Sequence, residues 1–231
     1  MGRLLVIGTG LIGGSFALAM RNAGCFAGID GHDSDHMVAE TARRLGLEAL
    51  RRRGAVPPWF VPSHPMAGSE RQGPEAADAE LFRGRRVFVT PQPETARAAV
   101  EQVRRWWAAT GADVVETSVQ IHDEMVALTS HLPHLIAFAF MNWVARPHGG
   151  DAALFAGPGL LDFTRIAGSD ASMWRGIIAE NHSAVLSQYD GWTEVFATVG
   201  TLLRESRFDE LETFLAAAQD ARARLSDASR D

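Results

Sequence analysis

One change of pattern near the N-terminus constrains the fold more than any other. The aliphatic run Arg3 to Ile7 breaks at Gly8-Thr9-Gly10-Leu11-Ile12-Gly13-Gly14-Ser15, and a helical stretch from Phe16 to Asn22 follows. The order is strand, glycine turn, helix. Gly8 permits the tight turn, and Gly10 lets the backbone approach a pyrophosphate. Gly13 allows the helix to pack closely on the strand, while the first amides of the helix, with Leu11 and Ile12 at its start, face the phosphates. The next strand, Cys25 to Ile29, ends in Asp30, at the spacing from Gly10 where a carboxylate accepts hydrogen bonds from the adenosine ribose hydroxyls. A carboxylate there repels a 2′-phosphate, and Gly31 and His32 supply no arginine, so NAD is expected rather than NADP. The plainer reading of Asp30 is a turn residue at a strand end.

Asp33 to Leu45 reads as a helix closed by Gly46. A further βα unit takes about thirty residues, and only Leu47 to Phe60, with Arg51-Arg52-Arg53 and Pro57-Pro58, separates this helix from the next feature. Beyond it, Ala76 to Phe82 is expected as a short helix and Arg86 to Thr90 as a strand stopped by Pro91. An amphipathic helix, Glu94 to Thr110, closes at Gly111, and Ala112 to Glu116 is one more strand. No strand pattern returns afterwards. The fold class is therefore α/β then all-α. Residues 1–120 are an abbreviated Rossmann-like dinucleotide-binding domain that lacks several central strands, and residues 121–231 are a helical domain.

Chemistry-bearing residues fall in three places. Ser63-His64-Pro65-Met66-Ala67-Gly68-Ser69-Glu70 sets a histidine among turn formers, away from any amphipathic run, where its ring can face a ligand as a general base. Taken alone, a capping or buried histidine beside a proline turn is the better explanation. The long apolar stretch His122 to Val144 carries Ser130-His131-Leu132-Pro133-His134, and the proline is expected to kink it and turn neighbouring groups outward. His131 and His134 share a face at a spacing that also suits a metal, but no companion carboxylate or cysteine is at hand. Arg165, within Asp162-Phe163-Thr164-Arg165-Ile166-Ala167, sits among apolar residues, and its fork suits either a substrate carboxylate or a structural ion pair with Asp162 or Asp170.

Met173, Trp174 and Ile177 are expected to face inward. Val185, Tyr189, Trp192, Phe196, Val199 and Leu203 follow at alternating steps of three and four, a seam that packs along another helix and in part forms a dimer interface. Phe208 to Leu225 is a last amphipathic helix.

Charge and cysteine content exclude several classes. A formal charge of −6 without a basic block argues against nucleic acid and acidic membrane surfaces as partners, and the single Cys25 leaves no internal disulfide. No uninterrupted apolar run reaches about 18 residues and no signal-peptide pattern opens the chain, so a soluble cytoplasmic protein with no membrane partner and no metal is expected.

With these residues laid out, the chain resembles the prephenate and arogenate dehydrogenases of tyrosine biosynthesis. The matching stretches are GTGLIGGS at 8–15, HPMAGSE at 64–70, LFRGRRVFVTP at 81–91, HDEMVALTSHLPH at 122–134 and DFTRIAGSDASMWRGIIAEN at 162–181. The resemblance implies an NAD-binding N-terminal domain and a helical C-terminal domain that forms a homodimer, with the active site in the cleft between them. It implies oxidative decarboxylation of prephenate to 4-hydroxyphenylpyruvate, with aromatisation as the driving force. In that family pattern His64 matches the histidine that accepts the proton of the C4 hydroxyl. Arg165 matches the arginine that binds a substrate carboxylate, and His134 a substrate-contacting histidine, with His131 the weaker candidate.

Between about Gly46 and Phe60 the family carries further strands that are missing here. One of them ends in a Gly-Ser-Val-Lys-like turn whose serine assists the catalytic histidine, and no residue of this chain takes its place. The cofactor cleft is therefore expected to lack one wall, and the sheet to lose central pairing. Prephenate is the expected substrate, with arogenate the alternative. A catalytically silent helical dimer or binding protein, left after an internal deletion, is the reading from another class. No appended regulatory or mutase domain is expected after the last helix.

Overall fold

The computed structural model describes residues 2–7, 11–32, 57–68, 74–146 and 153–228. Gly8, Gly10, the expected helix Asp33 to Leu45 and most of the short connection after it lie outside these residues. The chain divides into two compact units, residues 1–122 and 123–231.

The first unit opens with β1 (Arg3–Ile7), α1 (Leu11–Asn22) and β2 (Gly28–His32). The strands pair in parallel, with Leu4 opposite Ile29 and Leu5 opposite Asp30. A parallel pair cannot be joined by a tight hairpin, and α1 is the crossover that closes it. Its inner face buries Ser15, Ala19 and Met20. The second strand runs three residues later than expected, because the chain leaves α1 through a turn at Gly24, whose φ of +64° suits glycine. Cys25 N–H still bonds back to the Met20 carbonyl at 3.3 Å, and pairing with β1 begins only where Ala27 N–H reaches the Gly2 carbonyl at 3.0 Å. Asp30 is consequently a mid-strand residue, not a strand-end one.

A second sheet contains β3 (Ser63–Pro65), β4 (Arg86–Val89) and β5 (Asp113–Glu116) in that spatial order. The β3–β4 pair is antiparallel and the β4–β5 pair parallel. His64 therefore lies in a strand and not in a turn. Pro65 is compatible with this because β3 is an edge strand, whose outward side needs no donor. The pairing extends past the strand ends through Met66 N–H to the Arg86 carbonyl, 2.8 Å, and Thr90 N–H to the Pro62 carbonyl, 3.0 Å. Among the described residues no ladder joins this sheet to β1 and β2.

The helix expected from Ala76 to Phe82 is a 3₁₀ turn, Pro74–Ala76, followed by tight turns. Asp78 explains the difference. Its carboxylate accepts the Glu80 amide at 2.9 Å, a local bond that competes with helix continuation. Gly84, at φ +64°, then turns the chain into β4. The amphipathic helix α2 spans Arg97–Ala109, three residues shorter at its start than expected. The Thr95 hydroxyl accepts the Gln92 amide at 3.0 Å and holds 92–95 as a turn. Gly111, at φ +80°, ends the helix where the sequence places its stop.

Aromatic packing joins these elements into one core. The Trp107 ring of α2 lies 4.7 Å from Phe16 of α1 and 5.2 Å from Phe82, centroid to centroid. Phe82, Val87, Val89 and Met20 are fully enclosed.

The second unit is helical. α3 (Val119–Val126) starts in the first unit and ends in the second, where it passes into a π-helical turn, Ala127–His131, and then α4 (Leu132–Val144). By length and composition alone the stretch Val119–Val144 could cross a membrane, a property that core helices of soluble proteins share. α5 (Pro158–Thr164) leads into a 3₁₀ turn, Arg165–Gly168, and then α6 (Ala171–Glu180). Two long helices, α7 (His182–Arg204) and α8 (Phe208–Ala228), complete it.

The expected seam of α7 is only partly core. Val185 is buried, with Leu202 in place of Leu203, whereas Tyr189, Phe196 and Leu203 are exposed, and so is Leu215 of α8. Met173 is likewise exposed, while Trp174 is buried as expected.

Two predictions follow from this packing. Replacing Phe82 with alanine removes a ring from a fully closed site, and destabilisation by about 3–5 kcal/mol is expected for such a truncation. Denaturant unfolding read at the first unit checks it, and a loss below about 1 kcal/mol contradicts the assignment of Phe82 to the core. Asp170 caps α6, accepting from the Ser172 hydroxyl at 2.6 Å and the Met173 amide at 2.7 Å. Those bonds, the hydroxyl first, favour the carboxylate and hold its pKa below the ordinary value. The cap is therefore intact above the pKa of an unfolded aspartate and is lost as pH falls through the depressed folded value. The Met173 amide resonance should titrate with a midpoint below that of an ordinary aspartate; a midpoint at or above it contradicts the cap.

Candidate active site

In the first unit the sheet places His64 beside a residue that the sequence reading did not single out. His64 stands opposite Phe88 in the β3–β4 register, so the two side chains share a face. Val87 and Val89, alternating with Phe88, point to the other face and into the core. From β5 the chain passes through Thr117, whose amide bonds the Val89 carbonyl at 3.0 Å. Ser118 follows and caps α3 by accepting the Ile121 amide at 3.2 Å. His122 lies in the first turn of that helix. Its Nε2 is 2.8 Å from His64 Nδ1, and the two rings meet edge to face with centroids 5.1 Å apart. The Phe88 ring packs against His122 at 6.0 Å. His64 itself is exposed.

Between two such nitrogens only one proton fits. One ring donates and the other accepts, so the contact couples the tautomer of His64 to that of His122.

The glycine-turn residues divide differently. Leu11, Ile12 and Gly13 form the first turn of α1, where the amides of a helix have no partner within the helix itself and suit an anion. Ile12 is exposed, consistent with an approachable turn. Asp30 is placed by its backbone in β2, opposite Leu5. Parallel strands with a crossover helix between them are the arrangement in which a dinucleotide pyrophosphate meets the helix N-terminus.

In the second unit the π-helical turn sets the two histidines. Leu132 N–H bonds the Ala127 carbonyl five residues back instead of four. The widened turn ends just before Pro133, which then occupies the first turn of α4, where its missing N–H costs nothing. The break expected at Pro133 is thus taken up on its N-terminal side.

His131 is buried, and its Nδ1 is 3.4 Å from the Asn181 amide nitrogen, which also donates to the Asp123 carbonyl at 2.8 Å. An amide nitrogen can only donate, so His131 Nδ1 accepts and its proton sits on Nε2. His134 has the opposite tautomer. Its Nδ1 donates to the Ser130 carbonyl at 2.8 Å, which leaves Nε2 outside that bond.

Trp174 of α6 stacks on His134 with centroids 3.7 Å apart and meets His131 edge to face at 6.0 Å. Its buried Nε1 has no hydrogen-bond partner among the described residues. Sequence reasoning took Trp174 for core and missed its contact with both histidines. Arg165 opens the 3₁₀ turn after α5 and is exposed, in contrast to the apolar setting its neighbours suggested. Those neighbours, Leu161 and Phe163, are themselves exposed. The described residues hold no group of three or more histidine, cysteine or carboxylate side chains that could bind a metal ion.

Comparison with known proteins gives these residues a family. Residues 48–116 match the family model described as prephenate dehydrogenase, nucleotide-binding domain, and residues 118–217 match prephenate dehydrogenase, dimerization domain. A cyclohexadienyl dehydrogenase from Zymomonas mobilis is 33% identical over 169 residues, covering 72% of this chain and 58% of the relative. A prephenate dehydrogenase from Bacillus subtilis is 33% identical over 168 residues, covering 71% of this chain and 44% of the relative. The chain thus spans about half the length of the curated relatives it matches.

Among solved structures, prephenate dehydrogenase from Aquifex aeolicus in complex with hydroxyphenyl propionate and NAD+ superposes with a TM-score of 0.84 at 27% identity. The superposition covers 97% of this chain and 98% of that one. Two models of one family match in order along most of the sequence, and a solved member shares the fold: the chain belongs to the prephenate dehydrogenase family.

Proposed function

We propose that this chain catalyses the oxidative decarboxylation of prephenate to 4-hydroxyphenylpyruvate, with NAD as cofactor, and that it works as a homodimer in the cytoplasm. The observation that carries the reading is His64, exposed on an edge strand with its Nδ1 2.8 Å from His122 Nε2. The family match supplies the reaction in which such a base is needed.

The first turn of α1, Leu11 to Gly13 behind Gly8 and Gly10, would hold the pyrophosphate, and Asp30 the adenosine ribose. NAD, when bound there, supplies the acceptor for the hydride from C4 of the substrate. His64 takes the proton of the C4 hydroxyl, a transfer for which imidazole titrates in the right range. As that proton leaves, the ring carboxylate departs as CO2, its electron pair completes the aromatic ring as a phenolate, and His64 returns the proton to that oxygen. Arg165, exposed and forked, binds a carboxylate of the substrate. His134 contacts the substrate through Nε2, backed by Trp174, while the buried His131 supports the turn that carries it.

Dimerisation rests on the exposed apolar side chains of α7 and α8 and on the match of residues 118–217 to a dimerization domain. Burial of Tyr189, Phe196, Leu203 and Leu215 in a second copy removes apolar surface that water otherwise covers. One observation favours a second reading. Among the described residues β1 and β2 form a ladder of their own, unpaired with the other sheet, as expected if strands of the nucleotide-binding domain are missing. On that reading the chain is a silent dimer without NAD affinity. Arogenate remains the alternative substrate.

Two substitutions separate the proposed roles. His64→Asn should lower kcat by roughly 10²–10⁴-fold, the usual contribution of a general base, with KM little changed. Arg165→Gln should instead raise KM by about ten- to a hundred-fold, the worth of a charge-assisted hydrogen bond. Equal and minor effects of both contradict the roles. Titration calorimetry with NAD checks the cofactor independently, and absence of binding favours the silent dimer.

A further inference from the structure

We propose that His122 is the positioning residue for His64, accepting the proton on His64 Nδ1 and so keeping Nε2 as the bare, basic nitrogen. The inference rests on the reading of His64 as the catalytic base. The geometry points to it in three ways. The nitrogens lie 2.8 Å apart, within hydrogen-bond distance, and the rings are set edge to face. Neither residue is placed by a flexible loop. His64 is clamped in the β3–β4 ladder opposite Phe88, and His122 sits in the first turn of a helix capped by Ser118. Phe88 meets the His122 ring edge to face, with centroids 6.0 Å apart.

The chemistry follows from the single proton in the contact. If His64 Nδ1 donates, its Nε2 carries a lone pair and can take a proton from a hydroxyl. If His122 Nε2 donates, His64 must carry its proton on Nε2 and cannot act as a base there. Imidazole in water favours the Nε2–H form in both rings, so the productive arrangement requires His122 to carry its own proton on Nδ1 and to accept at Nε2. When Nε2 takes up the substrate proton, Nδ1–H remains bonded to His122, and the new imidazolium keeps a neutral acceptor on its other side. The arrangement follows the logic by which an orienting partner holds a catalytic imidazole.

The test combines 15N NMR of the histidine side chains with steady-state kinetics on the full chain. In the unsubstituted protein, His64 should appear as the Nδ1–H tautomer. In His122→Leu it should revert toward Nε2–H, with kcat lowered about 10²-fold, the scale of a lost general base, and KM within about twofold. His122→Gln places an amide oxygen near the position of Nε2, and should restore both the Nδ1–H signal and most of kcat.

Three results overturn the proposal: an Nε2–H tautomer of His64 in the unsubstituted protein, a tautomer unmoved by His122→Leu, or leucine and glutamine variants that lose activity equally. If no form of the chain turns over prephenate, the proposed function fails, and the tautomer measurements still decide the role of His122.

Discussion

The candidate site depends on one strand. β4 is the middle of the three-stranded sheet, and its Val87 and Val89 are fully enclosed while Phe88 between them faces the other way. Burying two valines on one side fixes the strand in register, because a slip of one residue would turn both outward. With β4 fixed, the antiparallel ladder on one edge sets His64 opposite Phe88. The parallel ladder on the other edge runs β5 to Thr117 and delivers the chain into α3, where His122 begins. Two residues 58 positions apart in sequence thus come within hydrogen-bond distance through pairing with a common neighbour. The core that anchors β4 is aromatic, with Trp107 set between Phe16 and Phe82, so side chains far from the chemistry hold the geometry that it needs.

The second unit uses a different device for the same purpose. A π-helical turn adds one residue to a helical turn and changes the angular relation of everything beyond it. Here it falls on Ala127–His131, one residue short of Pro133, and it separates the environments of two histidines that a regular helix would treat alike. His131 goes into the core and accepts from Asn181; His134 is half-buried and stacks on Trp174. One ring is held by the core, and the other engages the Ser130 carbonyl through Nδ1.

Much of this was legible in the residues. The change from an aliphatic run to glycines to a helical period marked β1, α1 and the crossover, and the alternation in Arg86 to Thr90 marked β4. The placement of Asp30 within β2 was misjudged because the period-2 pattern cannot tell where pairing starts after a turn such as that at Gly24. His64 was read as a turn residue since its neighbours are turn formers. A three-residue edge strand makes so few hydrogen bonds that local propensity carries no trace of it, and only the partner strand creates it. His122 went unremarked for a related reason. Its place beside His64 is a product of sheet topology, although the stretch that carries it, HDEMVALTSHLPH, was visible as a family feature. Pro133 announced a break in the helix but not its side, since proline removes a donor without dictating which preceding carbonyl rearranges. The apolar setting expected for Arg165 rested on neighbours such as Phe163, which is itself exposed.

The account turns on whether a chain that spans about half the length of its curated relatives still joins cofactor and base in one working site. The most direct measurement is NADH formation, followed by absorbance, from the purified 231-residue protein supplied with NAD and prephenate. The account predicts turnover, with CO2 and 4-hydroxyphenylpyruvate formed in step with NADH. No NADH from prephenate or from arogenate, together with no quenching of tryptophan fluorescence by NAD, would contradict it and leave a family member that keeps the fold without the reaction.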